Sequence, residues 1–191
     1  MLYLVRHGQT PYNAEHRLQG QTDIPLSEVG REQARLLGER LKAEGARFDA
    51  LYCSRLMRAR ETAGIIGSYI GLEPVVIEGV EEIDLGLFEN HSFEECAVLY
   101  PLAYADFKEK GNLSNAHGGE SSYEVLNRAR KALLALPEAK KGSALVVSHG
   151  AVIGFIRAFI AGADLVNVSD FIPGNAEAVL LDDEALKKLD Q

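Results

Sequence analysis

Cysteine is scarce, long apolar runs are missing, and positive charge is in deficit. Only two cysteines occur in 191 residues, Cys53 and Cys96. They have no metal-ligand spacing and no partner framework, which excludes a disulfide scaffold. Both read as ordinary reduced thiols, with Cys53 buried in a strand. No apolar stretch approaches the ~20 residues needed to cross a bilayer. The start, Met1-Leu2-Tyr3-Leu4-Val5, meets Arg6 at once and lacks the basic and long apolar regions of a signal peptide, so a cytoplasmic location is expected. Lysine and arginine number 20 against 28 acidic residues, a net charge of -8. That argues against a nucleic-acid or anionic-membrane binder, which shows a basic face. Repeats, linkers and low-complexity tracts are also absent. What remains is ordinary for a globular protein, with 47% hydrophobic and 25% charged residues. The length fits one domain over residues 1–191.

Strand and helix patterns alternate along the chain. Strands are predicted at Leu2 to Val5, Phe48 to Cys53, Pro74 to Ile77, Ser143 to Val147 and Glu177 to Leu181. Helices are predicted over Glu28 to Glu44 behind a Ser27 cap, and from a Ser54 cap to Ile70 with Gly71 as its stop. Others run from Ser122 to Leu136 and Ala151 to Ala161, with shorter ones around Phe93 to Tyr100 and Leu102 to Lys110. Gly8 to Pro25 reads as turns, and the residues after Leu181 as a short polar tail. The alternation predicts an α/β three-layer sandwich, with a mostly parallel central sheet and helices on both faces. Ligands of such sheets sit outside the carboxyl ends of the strands, so the chemistry should follow each strand.

Two strands end alike, in Val5-Arg6-His7-Gly8 and Val147-Ser148-His149-Gly150. Glycine lets a ligand approach the main chain closely. If these strands are neighbours, the two imidazoles face one crevice. A single histidine at a strand end is usually structural; two in matching contexts, one behind an arginine, favour a functional pair. Arg58 falls near the start of the helix after the second strand. Helix starts suit anions, and Arg6 with Arg58 could clamp a phosphoryl group by bidentate bonds. Arg58 alone fits a surface ion pair with Glu61 equally well. After the third strand, Glu81, Glu82 and Asp84 offer a carboxyl group for proton transfer to a leaving oxygen. Spacing does not choose among them, and solvated loop acids are the plainer reading.

Leu4-Val5-Arg6-His7-Gly8-Gln9-Thr10 closely resembles the signature of the histidine phosphatase, or phosphoglycerate mutase-like, superfamily. Asn13, Arg17, Gln19-Gly20, Asp23 and Pro25-Leu26 are similar to the family's next segment, and Ser54 with Arg58-Ala59 and Thr62-Ala63 to its second arginine motif. Glu82, Gly86 and Glu89 resemble its acid loop, Gly118-Gly119-Glu120-Ser121 its Gly-rich turn, and Ser148-His149-Gly150 its second histidine. These blocks keep the family's order and span nearly the whole chain. Arg55 and His117 depart from it where proline is usual, and Asn90 where glycine is. His91 and His117 read as surface loop residues.

The resemblance implies a catalytic set of His7, Glu82, Arg6, Arg58 and His149. His7 would be the nucleophile, Glu82 the proton donor, and Arg6, Arg58 and His149 the holders of the phosphoryl oxygens. Asn13, Gln19, Gly20 and Gly150, with the two arginines, would bind substrate. No metal and no cofactor are implied. The activity implied is hydrolysis of a small phosphorylated metabolite, because the interval from Glu82 to His149 is compact beside the capped mutases of the family. A cofactor-dependent phosphoglycerate mutase and an α-ribazole phosphate phosphatase are the alternatives within it. A silent phosphate-binding relative and a metal hydrolase using His7, His149 and Asp23 are poorer ones. The expected partner is that metabolite, with no nucleic acid and no membrane; oligomeric state stays open, a homodimer among the options.

Overall fold

A computed structural model describes residues 1–191. Its strands are β1 (Leu2–Arg6), β2 (Ala50–Cys53), β3 (Pro74–Val76), β4 (Ala144–Ser148) and β5 (Ala178–Leu181). They form one sheet in the order β3-β2-β4-β1-β5. All pairings are parallel except β1 with β5. Nine helices surround the sheet: α1 (Pro11–Ala14), α2 (Glu28–Ala43), α3 (Met57–Ile70), α4 (Phe93–Leu99), α5 (Pro101–Lys110), α6 (Ser122–Ala135), α7 (Pro137–Lys140), α8 (Gly150–Ala161) and α9 (Asp183–Leu189). No helix is long and apolar enough to cross a membrane.

The two faces of the sheet follow from side-chain alternation. On β4, Leu145 and Val147 join Leu37, Leu41, Ala63 and Ile66 of α2 and α3 in one cluster. Ala144 and Val146 join Val125, Ala129 and Leu133 of α6, and Val152, Phe155 and Ile156 of α8, in the other. Every residue of β4 is buried, as a central strand covered on both faces requires. The predicted three-layer architecture is therefore the one observed.

Three local expectations need correction. The residues after Leu181 are not a polar tail but α9, capped by Asp182, whose carboxylate accepts the Ala185 N–H at 2.8 Å. Its Leu186 and Leu189 enter the α6–α8 core, and two leucines three apart are too few to stand out as a period. Ser54 does not cap α3. Its hydroxyl accepts the Leu56 N–H inside the turn that leaves β2, and the helix starts at Met57. The Met57 N–H is instead received by Asp23 at 2.6 Å, a cap supplied from a distant loop. Finally, the Gly8 to Pro25 stretch contains α1, closed by a reciprocal capping box between Thr10 and Asn13 behind Pro11.

Leu189 is 0% exposed. Its replacement by alanine is expected to cost about 2–4 kcal/mol in equilibrium urea unfolding. A loss below ~0.5 kcal/mol, the range of surface substitutions, would mean that α9 does not belong to the core.

Candidate active site

The parallel pairing of β1 with β4 sets Arg6 opposite Ser148. The residues that follow, His7 and His149, therefore leave the sheet side by side at its carboxyl edge. The His7 N–H extends the ladder to the Ser148 carbonyl at 3.0 Å. The two rings lie 5.2 Å apart, centre to centre, tilted by 58°. Both are buried, His149 completely.

The chain around His7 permits no bulk. A Cβ on Gly8 would overlap the Gly30 carbonyl, and one on Gly30 would overlap Gln9, so the β1 loop and the start of α2 touch through their backbones. The His7 Nδ1 lies 2.6 Å from the Gly8 carbonyl. A carbonyl only accepts, so Nδ1 carries the proton and Nε2 keeps its lone pair. Burial pushes the His7 pKa well below the ordinary histidine value, and the Arg58 and Arg6 charges push it the same way. Burial and Arg58 do likewise to His149, whose two ring nitrogens have no hydrogen-bond partner. Buried polar atoms are rarely left so, and a neutral ring offers one N–H and one acceptor to whatever enters.

Two guanidinium groups share this surface. Arg6 donates through Nη1 to the Pro173 carbonyl at 2.8 Å, and its buried Nε has no partner. Arg58, in the first turn of α3, is 0% exposed. It donates to the Thr22 and Gly20 carbonyls at 2.8 and 2.7 Å, and its Nε is likewise without a partner. Neither bonds a carboxylate. Glu61, the alternative partner of Arg58, instead binds Arg31 and the Leu26 N–H. Burial lowers the pKa of both guanidinium groups, opposed by the Glu82 charge. A cation withdrawn from water without a carboxylate partner is costly, and two such groups, Arg58 buried and Arg6 half-buried, face this one cavity.

The three candidate acids separate cleanly. Glu81 is buried against Arg128 and Arg55, at 3.8 and 3.7 Å, and accepts the Gly79 N–H. Asp84 receives the Gly86 N–H in its own turn. Glu82 alone of the three lines the cavity that holds Arg6, His7 and Arg58, a space of about 200 Å³. Its carboxylate accepts the N–H groups of Ile83 at 3.0 Å and of Ala151, at the start of α8, at 3.2 Å.

Asn13, Gln19, Gly20 and Gly150 line the same cavity. Thr10 places the first two: it shares the capping box with Asn13 and donates to Gln19 at 2.9 Å. Of the predicted set only His149 stays off the cavity surface, covered and packed against His7. Asp23 is engaged in capping α3, and no three His, Cys, Asp or Glu side chains come together to hold a metal ion. A larger open groove of about 790 Å³ lies beside Cys53, Arg60 and Glu61, but burial pushes the Cys53 thiol up to about 11, far from a nucleophile.

Several contributors escape sequence reasoning. Glu89 receives Gln21 N–H at 2.7 Å and Thr22 Oγ1–H at 2.6 Å, fixing the loop whose carbonyls hold Arg58. Asn175 donates to the His7 carbonyl at 3.0 Å. It precedes β5, whose antiparallel direction brings the start of that strand, not its end, to the site; the turn Pro173-Gly174-Asn175 was the available signal. His117 is not a surface residue. Its Nδ1 accepts the Gly119 N–H, its Nε2–H donates to the Ser114 carbonyl, and its ring packs on Phe88. Asn90, in the place usual for glycine, has φ 71°, a conformation asparagine tolerates.

Comparison with known proteins agrees with this geometry. A curated relative from Erwinia tasmaniensis, named "Probable phosphoglycerate mutase GpmB", is 35% identical over 182 residues, covering 92% of this chain and 77% of its own. The structure of α-ribazole phosphatase from Shigella flexneri matches with a TM-score of 0.83 at 25% identity, covering 96% of this chain and 91% of its own. A phosphoserine phosphatase from Entamoeba histolytica, solved in complex with phosphoserine, matches with a TM-score of 0.79 at 30% identity, covering 93% and 87%. The model of branch 1 of the histidine phosphatase superfamily matches residues 2–186. With nearly the whole chain matched and the paired histidines and arginines gathered at one sheet edge, this protein belongs to the histidine phosphatase superfamily.

Proposed function

We propose that the protein is a metal-independent phosphomonoesterase that hydrolyses a small phosphorylated metabolite through a phosphohistidine on His7. One observation carries the reading. Two guanidinium groups without carboxylate partners flank the free Nε2 of His7, with the unpartnered ring of His149 beside it.

In the first step the Nε2 lone pair attacks phosphorus in line with the ester oxygen. The P–N bond forms as the bond to the leaving oxygen breaks, and Glu82 gives that oxygen its proton. Arg6 and Arg58 hold the equatorial oxygens, where charge is spread in the transition state, and the His149 N–H would complete the cage from behind the cavity surface. In the second step water attacks phosphorus, the Glu82 carboxylate takes a proton from it, and the P–N bond breaks. Orthophosphate leaves and His7 returns neutral. Asn13, Gln19, Gly20 and Gly150 receive the substrate. The arginines supply the charge that a metal ion supplies in other phosphoryl-transfer sites.

The charge of the cavity favours water over a second phosphorylated group as acceptor. Beyond the arginine pair, its wall is formed by Leu18, Ile83, Leu85 and Ile172 with the uncharged Asn13 and Gln19. The remaining arginine, Arg17, is held by Glu95 at 2.9 Å, by Glu15 at 3.5 Å and by the Asn90 carbonyl. Little is left to retain a bisphosphate intermediate. The structural neighbours named as phosphatases point the same way, and the mutase name of the Erwinia relative points the other.

A panel of phosphomonoesters, assayed near neutral pH with chelator present, is expected to release orthophosphate. H7A is expected to lower kcat by about 10⁴-fold or more. Rapid isomerisation of 3-phosphoglycerate with 2,3-bisphosphoglycerate, with little free phosphate, would replace the hydrolase by a mutase. Loss of activity to the chelator, restored by Zn²⁺ or Mn²⁺, would remove the metal independence.

The depressed pKa of His7 fixes the sign of the acid limb. Attack needs the neutral ring, so kcat/KM should hold well below pH ~6.5, the ordinary histidine value, once the substrate's own ionisation near pH ~6 is corrected for. A half-maximal point at ~6.5, the value of an unperturbed ring, would contradict a buried nucleophile.

Stability should show the same burial. Unfolded histidine titrates near ~6.5, and the buried rings of His7 and His149 below it, so in that window the unfolded chain binds more protons. Their contribution is complete above ~6.5 and falls as pH drops, by about 1 kcal/mol for each ring between pH 7.5 and 5.5. H149Q should flatten the pH dependence of urea unfolding; an unchanged slope would mean that His149 is hydrated.

A further inference from the structure

The segment that delivers Glu82 has no regular structure of its own. Residues Gly79 to Glu82 leave β3 and run beneath the site with their carbonyls turned to side chains. Arg128 of α6 takes three of the four. Its Nη1 donates to Gly79 at 3.0 Å and Glu81 at 2.7 Å, and its Nη2 to Glu82 at 2.9 Å. Ser148 takes the fourth, donating to Val80 at 2.8 Å. The two remaining donors of the guanidinium grip Glu120, Nε to Oε1 at 2.7 Å and Nη2 to Oε2 at 2.8 Å. All five N–H groups of Arg128 are thus used. Glu120 in turn accepts the Asp84 N–H at 3.0 Å and donates its own N–H to the Asp84 carbonyl at 2.8 Å. The chain is therefore pinned on both sides of Glu82. Burial works to raise the Glu120 pKa, but the Arg128 bonds hold it below the usual carboxylate range, so the pair stays ionic.

We infer that Arg128, locked by Glu120, is a positioning residue that sets the Glu82 carboxyl group at the leaving oxygen. Arg128 does not line the reaction cavity; apart from its charge, which adds to burial in lowering the His149 pKa, it acts through the backbone that carries the acid. The inference rests on the reading of Glu82 as proton donor. A fork with five fixed donors is needed, because lysine offers a point charge with three. A displacement of the acid by about 1 Å is enough to lose much of its effect.

The test separates proton delivery from the rest of the site. kcat/KM reports the step that breaks the ester bond. It is measured for β-glycerophosphate, whose alkoxide needs a proton, and for 2,4-dinitrophenyl phosphate, whose leaving group does not. E82Q is expected to lose about 10²–10⁴-fold on the first, the range of general acid catalysis, and little on the second. R128K is expected to lose on the order of tenfold on the first and under about twofold on the second, as the acid shifts without disappearing. Its inhibition by orthovanadate, which reports the arginine cage, should be unchanged. E120Q, which removes the charge but not the shape of the lock, should repeat the R128K pattern more weakly. It stands in for R128K if that variant does not fold. Equal losses on both substrates in R128K, or in E120Q in its stead, with weaker vanadate inhibition, would make the clamp a general structural prop and overturn the inference. No loss on either substrate would overturn it as well. If E82Q is unselective, the donor assignment falls and this inference with it. If E82Q is selective and the clamp variants are not, only the clamp is wrong.

Discussion

Arg58 is a cation taken out of water and Arg6 one half-withdrawn from it, and both are given backbone carbonyls in place of carboxylates. A buried carboxylate would satisfy them and close the site. Carbonyl dipoles stabilise them only in part, so the field they produce is left for an incoming anion. That arrangement also governs the histidines. Burial already disfavours a protonated imidazole here, and the two guanidinium groups add like charges in a low dielectric, so both rings are held neutral. The cage that would receive a phosphoryl group thus adds to what burial does to keep the nucleophile supplied with a lone pair.

The sheet explains how such a site is assembled from distant residues. Parallel neighbours β1 and β4 send matching His-Gly ends out of the same edge. β2 lies on the far side of β4 and delivers α3, and with it Arg58, from the opposite flank. β5 runs backwards, so its entry turn, with Pro173 and Asn175, supports Arg6 and His7 from the remaining side. The two histidines and the two arginines are each fixed at their root by an element with its own core contacts. The loop residues need only fill the gaps, which is how Glu89 comes to hold the Gly20–Thr22 carbonyls for Arg58.

The legible parts of the sequence are those whose cause is local. The alternating elements, the paired strand-end histidines and the Ser27 cap follow from periodicity and capping, and the structure contains them. Whether Arg58 was a surface ion pair or a buried cation was not local; it depended on Arg31 drawing Glu61 away. Spacing could not choose Glu82 from its neighbours, because the choice is made by Arg128 and Ser148, roughly fifty and seventy positions further on. The same reason hid the Asp23 cap on α3, the burial of His117 under Phe88, and α9, whose two leucines have meaning only against α6 and α8. Resemblance to the family singled out Glu82 and gave Arg58 its expected role, but not the Asp23 cap, the burial of His117 or α9.

The cavity wall has a second support that its floor lacks. Ile83 and Leu85 face the site just before the turn Gly86–Phe88, and that turn is anchored by Phe88. Phe88 is buried among Tyr100, Tyr104, Phe107 and His117, with ring centres 5.2 to 6.5 Å away. Otherwise α4 and α5 bury little: Cys96 alone in the first and no residue in the second. The floor is thus rooted in the sheet and its two large cores; the wall residues Ile83, Leu85 and Ile172 also touch the larger core, and only the turn that follows Leu85 hangs from the aromatic cluster. Changes in α4 and α5 can reshape what lies beyond the phosphoryl group and leave Arg6, His7, Arg58 and His149 where they are. A fold divided in this way can alter what it admits beside the two arginines without moving them.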